Sequence, residues 1–190
     1  MKIFHALGLL ALLASAMNTA QAGDNPRLKA MFDADQAERE QEPINWDTLI
    51  PNDMKRRAEL HRMLEQNVVT TGLDYYEAAF IQQHGQKPDD YLLAHVLAMA
   101  ALAKGYTQAR WIAAATLDRY LQQNRHPQIF GTQTVIRSVA GTGKEETPTR
   151  APFNAALIPD SLRATLGVAD LKTLANRPSK KDYNSSNGEN

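Results

Sequence analysis

The chain counts 190 residues, with 21 Lys and Arg against 21 Asp and Glu, and no cysteine. That balance excludes the basic surface of a nucleic-acid binder and the polybasic patch of a membrane-surface protein. The missing thiols exclude disulfides, a lipid on a leading cysteine and a cysteine nucleophile, so stability has to come from apolar burial.

The first 22 residues read as a cleavable secretory signal. Lys2 gives the short positive start, Ala6 to Met17 form an apolar stretch, and Ala20-Gln21-Ala22 fits an A-x-A cleavage pattern. The stretch is too short to span a bilayer, which takes about 20 residues. Export to the periplasm or beyond the cell is therefore expected, with Gly23 as the first mature residue.

Asn25-Pro26 starts a first helix, to about Gln41, with Leu28, Met31 and Phe32 at helical spacing. Residues 43–52 hold two prolines and Trp46, and read as a loop. A second helix is expected from Asp53 to about Asn67, with Met54, Ala58, His61, Leu64 and Val68 as its apolar stripe and an Asp53–Arg57 pair one turn apart. Thr71-Gly72-Leu73-Asp74 fits a capping box and opens a third helix to His84, stopped by Gly85. The fourth runs from Pro88 to Lys104 and is apolar nearly all round, which predicts a central helix. Thr107 caps a fifth, to about Asn124.

After Pro127 the period changes to the alternation of a strand, Thr134 to Val139, with a turn at Gly141-Thr142-Gly143-Lys144 and a weak return at 149–157. A short helix is expected at Asp160 to Leu166, stopped by Gly167, and another at 169–176. From Arg177 the chain is polar and without apolar period, as a disordered tail is. The expected fold is mainly α. It is an antiparallel array of about five helices with a small C-terminal β-hairpin and one or two short helices, in a single domain spanning 23–176.

No catalytic signature stands out. Gly141-Thr142-Gly143-Lys144 has Ser138 where a phosphate loop needs its first glycine, and Glu145 follows the lysine. No H-x-x-x-H spacing, G-x-S-x-G or cofactor fingerprint occurs, so no metal or cofactor is expected. Polar residues on apolar stripes are the informative ones. His95 shares a stripe with Leu92, Met99 and Leu102. Asp118 shares one with Trp111, Ala114, Ala115 and Leu121, and a carboxylate there needs a partner from another element, a histidine or a backbone N–H.

Gln83-His84-Gly85, Asp118-Arg119, Pro127-Gln128-x-Phe130-Gly131-Thr132-Gln133, and Arg163 before Leu166-Gly167-Val168 follow one another along residues 55–172. This order resembles a bacterial family, domain of unknown function 6624. The family's pattern has alanine where this chain has Gly85 and tyrosine where it has Phe130, so no tyrosine hydroxyl can act there. The resemblance carries no activity. It implies that Gln83, His84, Asp118, Arg119, Gln128, Thr132, Gln133 and Arg163 gather in one site or one buried network.

Two functions are compatible with these residues. One is a non-enzymatic envelope protein that binds a protein, a peptide or a small ligand. The other is a hydrolase using His84 or His95 with Asp118, and Gln133 as a polar positioner. Convergence of these side chains on an open cleft would favour a site, and their burial would favour a structural network.

Overall fold

The computed structural model describes residues 23–135 and 149–176. The expected signal at 1–22, the turn at 141–144, most of the alternating segment and the tail at 177–190 lie outside the described residues.

The protein is mainly helical. Five longer helices are α1 (Pro26–Glu40), α2 (Trp46–Glu65), α3 (Gly72–Gln82), α4 (Pro88–Ala103) and α5 (Arg110–Gln123), with a 3-10 turn at Thr107–Ala109 before α5. Two short ones follow, α6 (Asp160–Thr165) and α7 (Leu171–Asn176). Their ends follow local chemistry. The Asn25 side chain accepts from the amides of Arg27 and Leu28, and Thr71 and Asp74 close a capping box on α3. Gly105 and Gly167 end α4 and α6 with positive φ, a conformation that costs glycine nothing.

Four expectations are corrected. Residues 46–52 are helix, not loop. Asn45 caps α2 and Leu49 is buried in its first turn. Pro51 forfeits only the bond to the carbonyl of Asp47, an exposed residue that water can serve. The buried face of α2 is Leu49, Asp53, Arg56, Leu60 and Met63, while Met54, Ala58, His61 and Val68 are exposed. Two charged residues can occupy that face because they pair across to α1.

The central helix is α3 rather than α4. It packs against α1, α2, α4 and α5, and its residues Glu77 to Gln82 are all buried. Around it, Phe32, Tyr76, Phe80, Tyr106 and Trp111 form a run of ring contacts, with Phe32 edge-on to Phe80 at 5.6 Å. Helix α4 covers α3 and α5 with Tyr91, Ala94, Leu97, Ala98 and Ala101 and turns Leu92, Val96 and Met99 outward.

The expected hairpin is not found. Among the described residues there is no strand, only isolated bridges of Gln128 with Phe153 and of Val135 with Thr149. Gln128 pairs through its backbone with Pro152 and Asn154, and Val135 with Thr149, while between them the amides of Ile129, Phe130, Thr132 and Gln133 are taken by side chains, so the bridges do not join into a ladder.

Burial of Glu77 has a measurable consequence. Its Oε2 is buried without a hydrogen-bond partner, and desolvation pushes the carboxyl up to about 7. Lys29 opposes that shift, and the charges of Asp33, Asp74 and Asp24 add to it. A folded-state value above the unfolded one of 4.5 stabilises the fold fully in acid, and the contribution is lost as pH rises through about 7. Melting temperature should therefore fall between about pH 5 and about pH 8, and Glu77→Gln should flatten that slope. A wild-type slope unchanged in Glu77→Gln would assign it to other groups.

Candidate functional site

The residues singled out in the sequence fall into three places. The first is a loop, 128–133, closed over the end of α5. Asp118 is fully buried and accepts four hydrogen bonds: Oδ1 from the amides of Ile129 (2.8 Å) and Phe130 (3.0 Å), Oδ2 from the amide (2.9 Å) and hydroxyl (2.8 Å) of Thr132. Gln128 spans its own loop. Its Nε2 donates to the carbonyls of Gln133 and Arg150, and its Oε1 accepts from the Gln133 amide. Gln133 in turn donates to the Ala115 carbonyl and the Thr132 hydroxyl.

Arginines hold the other side of this loop. Arg163 of α6 is fully buried and donates to the carbonyls of Phe130 (2.8 Å), Ile129 (3.0 Å), Ile158 (3.0 Å) and Ala169 (3.3 Å). Arg150 donates to the carbonyls of Gly131 and Leu174. The loop's amides thus face a carboxylate and its carbonyls face guanidinium groups. The amides and carbonyls that these side chains hold are satisfied within the chain, so the arrangement holds a loop and leaves Asp118 no free face for a substrate.

Gly131 bends the loop at φ +75°, and a Cβ there would come 2.8 Å from Leu174 Cδ1 and 3.1 Å from Phe153 Cζ. Gly131→Ala should therefore cost about 1–3 kcal/mol in a denaturant melt. A neutral result would mean that the loop can relax away from the left-handed region.

His95 is in the second place. Its Nδ1 lies 2.9 Å from the Ala113 carbonyl, so Nδ1 carries the proton and ties α4 to α5. Arg119 is half-buried on α5 beside Asp118 in sequence. Neither histidine is among the hydrogen-bond partners of Asp118, and the gathering of all these residues implied by the family resemblance does not occur.

The third place, around His84, holds charged residues that the sequence reading passed over. Arg39 bridges Asp35 (2.7 Å) and Asp53 (2.6 Å). Arg56 bridges Glu38 (2.6 Å) and Asp53 (3.2 Å). His84, at the end of α3, sets Nε2 3.3 Å from Asp35 Oδ2, off the direction of a good hydrogen bond. Arg57 donates to the His84 carbonyl at 2.6 Å. Burial lowers the His84 pKa, against the pull of Asp35, and so favours neutral imidazole. Burial raises that of Asp35, but His84, Arg39 and the Gln36 amide outweigh it and hold the carboxyl below its usual range.

This third place differs from the loop in two ways. Its rim is open, with the side chains of Glu38, Arg39 and His84 about one-fifth exposed. It also contains buried atoms without partners, Glu38 Oε2 and His84 Nε2, and the neighbouring Gln82 and Gln83 each bury an unpartnered Oε1. A signal was present in the sequence. Asp35 lies two helical turns after buried Leu28, and Asp53 and Arg56 lie between buried Leu49 and Leu60 at helical spacing. Among the described residues no group of three or more acidic or histidine side chains could hold a metal ion. None of the helices is long and apolar enough to cross a membrane, among the described residues. No family model, no curated protein and no solved structure matches this chain.

Proposed function

We propose that the protein is an exported, non-enzymatic binding protein, and that it takes a small polar ligand where α1, α2 and the end of α3 meet at His84. The observation that carries this reading is the set of buried acceptors lacking donors, Glu38 Oε2, Gln82 Oε1 and Gln83 Oε1. A buried polar group without a partner costs roughly 1–3 kcal/mol, and a bound donor would remove that cost. All three are acceptors, so the fitting ligand brings N–H donors, as an amine, guanidinium or amide does. Export rests on the tripartite N-terminus, and kinship with domain of unknown function 6624 rests on the ordered motifs. Both belong to this proposal.

Thermal melts with free arginine, spermidine and glycinamide test the site. At least one probe should raise the melting temperature saturably, and Glu38→Ala should abolish the rise. No rise with any probe, or an equal rise in Glu38→Ala, would overturn the assignment.

A second reading, a hydrolase, is favoured by one observation, the 3.3 Å approach of His84 Nε2 to the Asp35 carboxylate. It differs from the arrangement expected from sequence, which used Asp118 and Gln133. Hydrolysis of p-nitrophenyl acetate that disappears in both His84→Ala and Asp35→Asn would support it. Equal rates in the three proteins would reject it.

A further inference from the structure

Helix α4 carries no Asp, Glu, Lys or Arg from Tyr91 to Ala103, yet the described residues cover only one of its faces. Leu92, Val96 and Met99 are 38%, 54% and 49% exposed. With Asp89 before them and Ala103 after them, both exposed, they follow the alternating three- and four-residue steps of a coiled-coil seam. The row is about 21 Å long at 1.5 Å per residue. A large apolar row on a solvent-facing helix marks an interaction surface, and the seam spacing suits a second helix.

We infer that this face docks a second copy of the chain, α4 against α4, antiparallel about a two-fold axis at Val96. Charge at the ends of the row chooses this occupant and this direction. Asp89 lies in the first turn of α4 and Lys104 caps its end, both exposed. With Val96 on the axis, Asp89 of each copy comes level with Ala103 of the other, beside Lys104, and Leu92 comes level with Ala100, the residue after Met99. The pairing makes two opposite-charge contacts at the rim of an apolar seam. A parallel pairing would instead set Asp89 on Asp89 and Lys104 on Lys104. The antiparallel contact is isologous and closes at two copies, so it does not propagate into a filament. It uses none of the residues around His84 and stands independently of the proposed ligand site.

The absence of cysteine makes the test direct. Val96→Cys should form a disulfide-linked dimer under mild oxidation, since the two thiols meet at the axis. Met54→Cys, on an equally exposed position of α2, should stay largely uncross-linked. Light scattering of the unmodified chain should give twice the monomer mass at micromolar concentration, and Val96→Glu should return it to the monomer mass with its helical circular dichroism intact. Asp89→Lys should weaken the dimer, and Asp89→Lys combined with Lys104→Asp should restore it. A monomer at every concentration would overturn the inference, as would cross-linking of Val96→Cys no faster than that of Met54→Cys. Failure of the double charge exchange to rescue would overturn the antiparallel direction.

Discussion

Asp118→Ala is expected to destabilise the fold by about 3–5 kcal/mol in a denaturant melt, because each stranded donor costs roughly 1–3 kcal/mol. The substitution orphans the amides of Ile129, Phe130 and Thr132 and the Thr132 hydroxyl at once. The figure is less than the sum of four such losses, since an opened loop turns some donors to water. Asp118→Asn keeps one acceptor oxygen and turns an amide donor toward the Thr132 amide or toward those of Ile129 and Phe130. About half the loss is expected for it. Equal stabilities of Asp118→Ala and the wild type would show that the loop holds without the carboxylate.

The second large effect lies on the opposite side of the same loop. Arg163→Met should cost on the order of 3 kcal/mol, because four carbonyls lose a charged donor and two of them, those of Ile129 and Phe130, lie 34 and 33 residues away in sequence. The guanidinium also sits 5.4 Å from the Phe153 ring centre, a contact that methionine replaces only by packing. Arg163→Lys retains the charge but not the fork, and should recover less than half of the loss. Both Asp118 and Arg163 act on Ile129 and Phe130. The double variant Asp118→Ala with Arg163→Met should therefore lose clearly less than the two single losses added together. Strict additivity would mean that the two residues hold independent structures.

Local signals carry the helical layout well. Asn25, Thr71, Pro88 and Gly105 sit where caps and stops belong, and the three elements that they bound, α1, α3 and α4, are helices. Trp111, Ala114, Ala115 and Leu121 are enough to turn Asp118 inward. What local signals do not carry is the identity of partners. The amides of Ile129, Phe130 and Thr132 face Asp118 while Arg163 and Arg150 hold the carbonyls of Ile129, Phe130 and Gly131, and those arginines come from later in the chain. Period reports side-chain direction, not which group takes each backbone bond. At α2 the misreading is instructive in another way. A stripe chosen by hydrophobicity picked Met54, Ala58 and His61, whereas Asp53 and Arg56 face inward because Arg39, Asp35 and Glu38 neutralise them. Charge compensation between two helices is invisible to a reading that takes each helix alone.

The grip on residues 128–133 also sets an order of events. Its amides are in no helix, yet their bonds to Asp118 should exchange with solvent deuterium as slowly as those of a helix interior. That protection is incomplete while the chain is only partly synthesised. Helices α1 to α5 contain their own contacts and can assemble first, but Arg163 follows Phe130 by 33 residues, and until it arrives the loop is held on its amide side alone. A nascent chain that stops short of α6 should therefore leave the carbonyls of Ile129 and Phe130 without their guanidinium donor, and the amides of those residues should exchange faster there than in the full chain.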